Sequence, residues 1–139
     1  MNATAIALLG YIGWFLLLLG GIAVFRLTVS LSQGKPANSF RPDGADVSPF
    51  SARLCGAHAN GYESFPFMGG LLLLALATNN TAVTDPLALA ALASRIAQSS
   101  VNLVSTSVGA VQIRFAFFLV QFFIAVYWTI QLSARLAGI

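Results

Sequence analysis

Charge is scarce in this sequence. Seven Lys/Arg and four Asp/Glu make up 8% of 139 residues, while 58% are apolar, and the net charge is +3. A soluble domain carries about 25% charged residues. So few charges do not cover a water-facing globule of this length, and the apolar excess rules out a disordered chain. Cysteine occurs once, at Cys55, which excludes an internal disulfide framework and a cysteine zinc cage. Histidine also occurs once, at His58, so no metal site is expected. There is no basic run, and nucleic acid is not an expected partner. P-loop, dinucleotide fingerprint and nucleophile elbow are all missing.

What remains is long apolar runs. Residues 3–25 hold 23 positions without a charge, enough to cross a ~30 Å hydrocarbon core as a helix. No basic residue precedes this run and Arg26 follows it, the reverse of a secretory leader, so it reads as a mature transmembrane helix. Residues 33–49 carry three prolines, two glycines and mixed charge, which predicts a loop. Ser48 and Pro49 read as the N-cap and first residue of a second helix. Asp85 reads as the N-cap of a third helix opening at Pro86, and Gly109 as the turn before a fourth. The expected helices are about 3–31, 50–78, 86–107 and 111–136, in one domain covering 1–139. The fold class is all-α: an integral membrane bundle of four transmembrane helices, with lipid as its surroundings.

The apolar half of the second helix, Phe65 to Ala77, is too short to span alone. Its span must take in the polar stretch Arg53 to Ser64, whose polar groups must face protein or water. Arg26, Lys35, Arg41, Arg53 and Arg114 fall on one side and Arg135 on the other. The positive-inside rule then makes loop 33–49 cytoplasmic, with both termini across the membrane.

At 100° per residue, Arg53, Asn60 and Glu63 fall within about 80° of one another, with His58 turned toward a neighbouring helix or subunit. Arg95, Gln98 and Asn102 share one face of the third helix. Arg114 stands near the start of the fourth. Arg26 and Arg114 lie near enough to helix ends for snorkelling to account for them equally well. Arg95 lies about ten residues from either end, so a ligand or a salt bridge to Glu63 is favoured there. One acid, three amides and several arginines suit a small zwitterion of net negative charge, bound through its carboxylates by bidentate arginine. The same groups also have a structural use, satisfying one another between helices. Cys55 reads as a small buried hydrophobe.

The stretch Arg53-Leu-Cys-Gly-Ala-His58-Ala-Asn60-Gly-Tyr-Glu63-Ser-Phe-Pro66-Phe resembles the second-helix signature of the MAPEG family, the membrane-associated proteins of eicosanoid and glutathione metabolism. Arg26, Arg95 and Arg114 follow the family's order of landmarks, so the resemblance spans the chain. It implies a four-helix protomer in a homotrimer, with glutathione as co-substrate, a lipophilic small molecule as second ligand and sites between subunits near the cytoplasmic face. By position it implies a glutathione-binding set of Arg26, Arg53, Asn60, Glu63 and Arg95, to which Gln98 and Asn102 are added from the shared face. Arg114 matches the arginine that stabilises the glutathione thiolate, the catalytic role. Gly56 stands where several glutathione-using members carry a basic residue. Gln98 and Asn102 replace a His and a Tyr, while Phe115 and Phe118 replace a hydroxyl and a tyrosine. These departures mark a divergent, bacterial-type member of an inner membrane. Two functions are open: a glutathione-dependent transferase or peroxidase acting on lipophilic electrophiles, and a non-catalytic lipid-binding or scaffold protein.

Overall fold

A computed structural model describes residues 2–36 and 38–138. The described residues form four helices: α1 (Ala3–Gln33), α2 (Pro49–Ala77), α3 (Thr81–Val104) and α4 (Val108–Leu136). Helix α1, with 31 residues, is about 46 Å long, and α3, the shortest at 24, about 36 Å. Each exceeds the hydrocarbon core. By length and composition α1, α3 and α4 qualify as membrane spans. Helix α2 is of similar length but carries Arg53, His58, Asn60, Glu63 and Ser64 in its first half. Much of the apolar surface faces outward, with Leu16, Leu17 and Phe123 each more than 60% exposed. Such a surface suits lipid, and the protein is integral to a membrane.

The helix ends follow local chemistry. The Asn2 side chain accepts from the Ala5 N–H at 2.8 Å, and α1 stops at Gly34, whose φ of 70° returns its N–H to the Ser30 carbonyl. Ser48 caps α2 by accepting from the Ser51 N–H at 3.0 Å, with Pro49 at the first position. Two expectations fail at α3 and α4. Helix α3 begins at Thr81, five residues before Pro86, and Asp85 is not its cap. Asp85 instead accepts from the Thr4 N–H at 2.9 Å and from the Thr4 hydroxyl. Thr4 is fully buried against α3. The free N–H groups of the first turn of α1 need an acceptor there, and a carboxylate from the neighbouring helix supplies it. Helix α4 begins at Val108, with Ser107 accepting from the Ala110 N–H at 3.2 Å, so Gly109 lies inside the first turn.

Helices α1, α2 and α3 pack against one another, and α4 lies along α3, touches α2 and does not reach α1. Alanines at the crossings, Ala7, Ala75, Ala88 and Ala91, are fully buried and bring the backbones close around Met68 and Trp128. The chain direction alternates, so residues 34–48 and the α3–α4 turn lie at one end. The termini and the α2–α3 turn lie at the other.

Residues 34–36 and 38–48 form a strap rather than a slack loop. Lys35 Nζ pairs with Asp46 Oδ2 at 3.1 Å, the Arg41 N–H donates to the same oxygen at 3.2 Å, and Arg26 Nη2 donates to the Arg41 carbonyl at 3.1 Å. The Phe40 ring takes the Arg26 and Lys35 cations at 5.7 and 5.3 Å. Gly44, at φ 70°, sits on the first turns of α2; a Cβ there would come within 2.7 Å of the Ser51 carbonyl and of Cys55 Sγ. Burial pushes the Asp46 carboxyl up, but the hydrogen bonds from Lys35 and the Arg41 N–H outweigh it and hold it below its ordinary value.

Candidate functional site

Between α2, α3 and α4 runs a trough. Its end nearer the strap is a chamber of about 260 Å³ walled by Arg114, Phe115, Asn60, Gln98 and Phe118. A second chamber of about 250 Å³ continues it inward, walled by Asn60, Glu63, Ser64, Arg95, Gln98 and Phe118. Asn60, Gln98 and Phe118 belong to both walls. Phe67, at the inner end, also opens a third chamber of about 280 Å³, lined by Leu71, Phe122, Ala125, Val126, Ile130 and Thr129, whose hydroxyl is spent on the Ala125 carbonyl at 2.7 Å. The trough is therefore polar toward the strap and apolar toward the termini. The rings of Phe115, Phe118 and Phe122 stack along its α4 wall at 6.2 and 6.1 Å.

Arg95 stands nine residues before the end of α3, about 14 Å from the strap end. It is 2% exposed. Its Nη1 donates to the Asn60 carbonyl at 3.1 Å and to Ser64 Oγ at 2.6 Å. Its Nε and Nη2 are buried without a partner. The salt bridge to Glu63 is not formed, and no acid lies within 4 Å of Arg95 among the described residues. Ser64 takes the inward position on α2, and Glu63 lies 100° around the helix on its exposed edge. Arg114, half-buried, has an unpartnered Nε and likewise no acid. Two arginines thus line the trough with no acid within 4 Å of either among the described residues, and Glu63 stands on its rim. A buried cation held only by neutral acceptors is left without a compensating charge, which costs free energy.

The other residues singled out by sequence are engaged elsewhere in the chain. Arg53 Nε donates to the Leu103 carbonyl at 2.8 Å and so caps the C-terminus of α3. Asn102 Nδ2 donates to the Arg53 carbonyl at 3.3 Å, in the space Gly56 leaves open. Arg26 belongs to the strap. Asn60, Glu63, Arg95, Gln98 and Arg114 therefore come together, whereas Arg26, Arg53 and Asn102 do not join them.

A model of the MAPEG family matches residues 4–134. The chain belongs to the MAPEG family. Searches among curated proteins and among solved structures gave no match. The MAPEG family is membrane-integral and associated with glutathione in general. Within the matched residues, helix α2 supplies the wall of the trough through Asn60, Glu63, Ser64, Phe67 and Leu71.

Two residues of this MAPEG chain's site were not assigned to it by sequence. Ser64 is the side-chain partner of Arg95. Gln121 Nε2 donates to Gln98 Oε1 at 2.8 Å and to the Phe117 carbonyl at 3.2 Å. Its signal was present: a lone amide inside the aromatic run Phe117–Phe123 must face protein rather than lipid. His58 turns to α1 and meets the edge of Phe15 at 5.5 Å. Cys55 is buried beneath the strap. No three His, Cys, Asp or Glu side chains gather into a metal cluster among the described residues.

Proposed function

We propose that this chain is a glutathione-dependent transferase or peroxidase acting on lipophilic electrophiles. The observation that carries this reading is the trough, with unpaired arginine donors and a carboxylate at one end and an apolar chamber at the other. Glutathione has two carboxylates, one ammonium and a thiol. Arg95 and Gln98 take carboxylate or carbonyl oxygens, Glu63 takes the ammonium, and Asn60 completes the polar wall. Arg114 holds the sulfur. A free thiol titrates near 8.5, and lowering it by about two units requires ~2.7 kcal/mol of preference for the thiolate. A poorly hydrated guanidinium beside a low-dielectric wall has that capacity. The thiolate attacks an electrophilic carbon lying in the apolar chamber. A carbon–sulfur bond forms and the leaving group departs with its electron pair. With a hydroperoxide, the thiolate attacks the terminal oxygen, the O–O bond breaks, and the alkoxide leaves and takes a proton to become the alcohol; a second glutathione then attacks the resulting sulfenic acid, giving the disulfide and water.

The assembly proposed is a homotrimer in a bacterial inner membrane, with the strap cytoplasmic and the termini opposite. Support comes from Glu63 and Tyr62, both exposed on α2 at a depth where polar groups must meet protein or water. A neighbouring subunit covers them, and Arg26 and Arg53 act at that boundary. The test is conjugation of glutathione to a chromogenic aryl halide by the protein in mild detergent. Arg114→Ala lowers kcat by 100-fold or more, in the range of other oxyanion-type donors. Unchanged turnover in that variant removes Arg114 from the mechanism. Absence of turnover in the natural chain, with glutathione still bound, favours the scaffold role, for which Phe115 and Phe118 beside Arg114 argue.

A further inference from the structure

Gln98 and Gln121 are both buried, at 7% and 2% exposure, and an amide can in principle face either way. Here a fixed backbone group decides. The Phe117 carbonyl is an acceptor that cannot turn. It draws the NH2 of Gln121 toward it at 3.2 Å. The same NH2 then meets Gln98 at 2.8 Å and holds that residue's oxygen toward α4. The polarity passes along the chain of groups. The NH2 of Gln98 has no partner among the described residues, and Gln98 lies where the two polar chambers meet.

We infer that Gln121 is a positioning residue that locks Gln98 as a hydrogen-bond donor into the junction of the trough, selecting a ligand that places an oxygen acceptor there. Reversing Gln98 alone would set two NH2 groups against each other, and reversing both amides would set Gln121 Oε1 against the Phe117 carbonyl, so the lock has a definite sense. Arg95, Arg114 and Gln98 then present donors from the α3 and α4 walls, and only the α2 wall offers a carboxylate. This asymmetry deepens the glutathione reading, on which the choice of ligand rests. The ligand's acceptor-rich side faces α3 and α4, and its ammonium faces Glu63.

Two measurements on the full chain in detergent test this. The first needs no ligand. In protein labelled with ¹⁵N-glutamine, the side-chain NH2 of Gln121 should resist hydrogen exchange, and that of Gln98 should exchange at least tenfold faster. In Gln121→Met, which removes the donor at similar volume, the Gln98 amide signal should shift. The opposite protection pattern, or an unmoved Gln98 signal, overturns the lock. The second is a double-mutant cycle on glutathione affinity. Gln121→Met and Gln98→Met should each weaken binding about tenfold, and the double variant no more than about tenfold, because one residue acts through the other. Multiplicative losses, or unchanged affinity in Gln121→Met, overturn the positioning role. Protection as expected in a chain that binds no glutathione leaves the lock standing and refutes the glutathione reading instead.

Discussion

Replacing Arg95 with methionine should leave the protein as stable as before, or more so, while abolishing anion binding. An arginine at the centre of a membrane helix costs about 2.5–3.5 kcal/mol on insertion scales. Arg95 offsets this with two hydrogen bonds, to the Asn60 carbonyl and the Ser64 hydroxyl. Interhelical hydrogen bonds in membrane proteins average ~0.6 kcal/mol. The guanidinium is thus left about 1–2 kcal/mol short in the absence of a ligand, with two of its nitrogens, Nε and Nη2, unpartnered. Methionine fills a similar volume, and Ser64 keeps its own bond to the Gly61 carbonyl at 3.2 Å. The assay is reversible unfolding in mixed micelles with and without glutathione. Arg95→Met should gain up to about 2 kcal/mol without ligand and lose the ligand-dependent increment, RT ln(1 + [L]/Kd). A loss of 2 kcal/mol or more in the unliganded variant would refute the reasoning, because Arg95 would then be a strut and not a binding group.

Asp85→Ala should destabilise by about 1–2 kcal/mol, the range for a lost N-cap. Amide exchange should accelerate in the first turn of α1, and not at the start of α3. Arg53→Ala should raise exchange in the last turn of α3 and lower stability by ~1 kcal/mol, with binding changed less than in Arg114→Ala. The strap should be acid-labile. The Asp46 carboxyl lies below its ordinary value of 3.8, so the stability it contributes is full above that value. It is lost as pH falls through the lower folded value. Limited proteolysis within residues 34–48 should therefore speed up on acidification, and Asp46→Asn should make the strap equally labile at neutral pH.

The bundle was legible because its signals are one-dimensional. Charge-free runs, the Ser48–Pro49 helix start and the polar stretch Arg53 to Ser64 each speak for their own segment. What failed depends on a neighbour. Asp85 has the form of a local cap, yet the buried first turn of α1 competes for it and wins. Glu63 and Arg95 are opposite charges at facing depths, yet one position of helical phase gives Ser64 the inward place. Arg53 and Asn102 are polar residues in an apolar setting, which sequence reads as a site. The structure spends them on the end of α3 and on the α2 backbone. Gln121 was passed over because one amide among phenylalanines carries no motif, although burial makes it the partner of Gln98. Counting polar residues on a face locates a trough but does not say which of them are already satisfied.

The central claim is that the unpaired arginines and Glu63 form one site for a zwitterion with excess negative charge. Calorimetric titration of glutathione into the purified protein in mild detergent tests it most directly, with Glu63→Gln as the paired variant. Saturable binding, weakened at least tenfold in Glu63→Gln, is the predicted result. No heat at millimolar glutathione, or equal affinity in the two proteins, would contradict it.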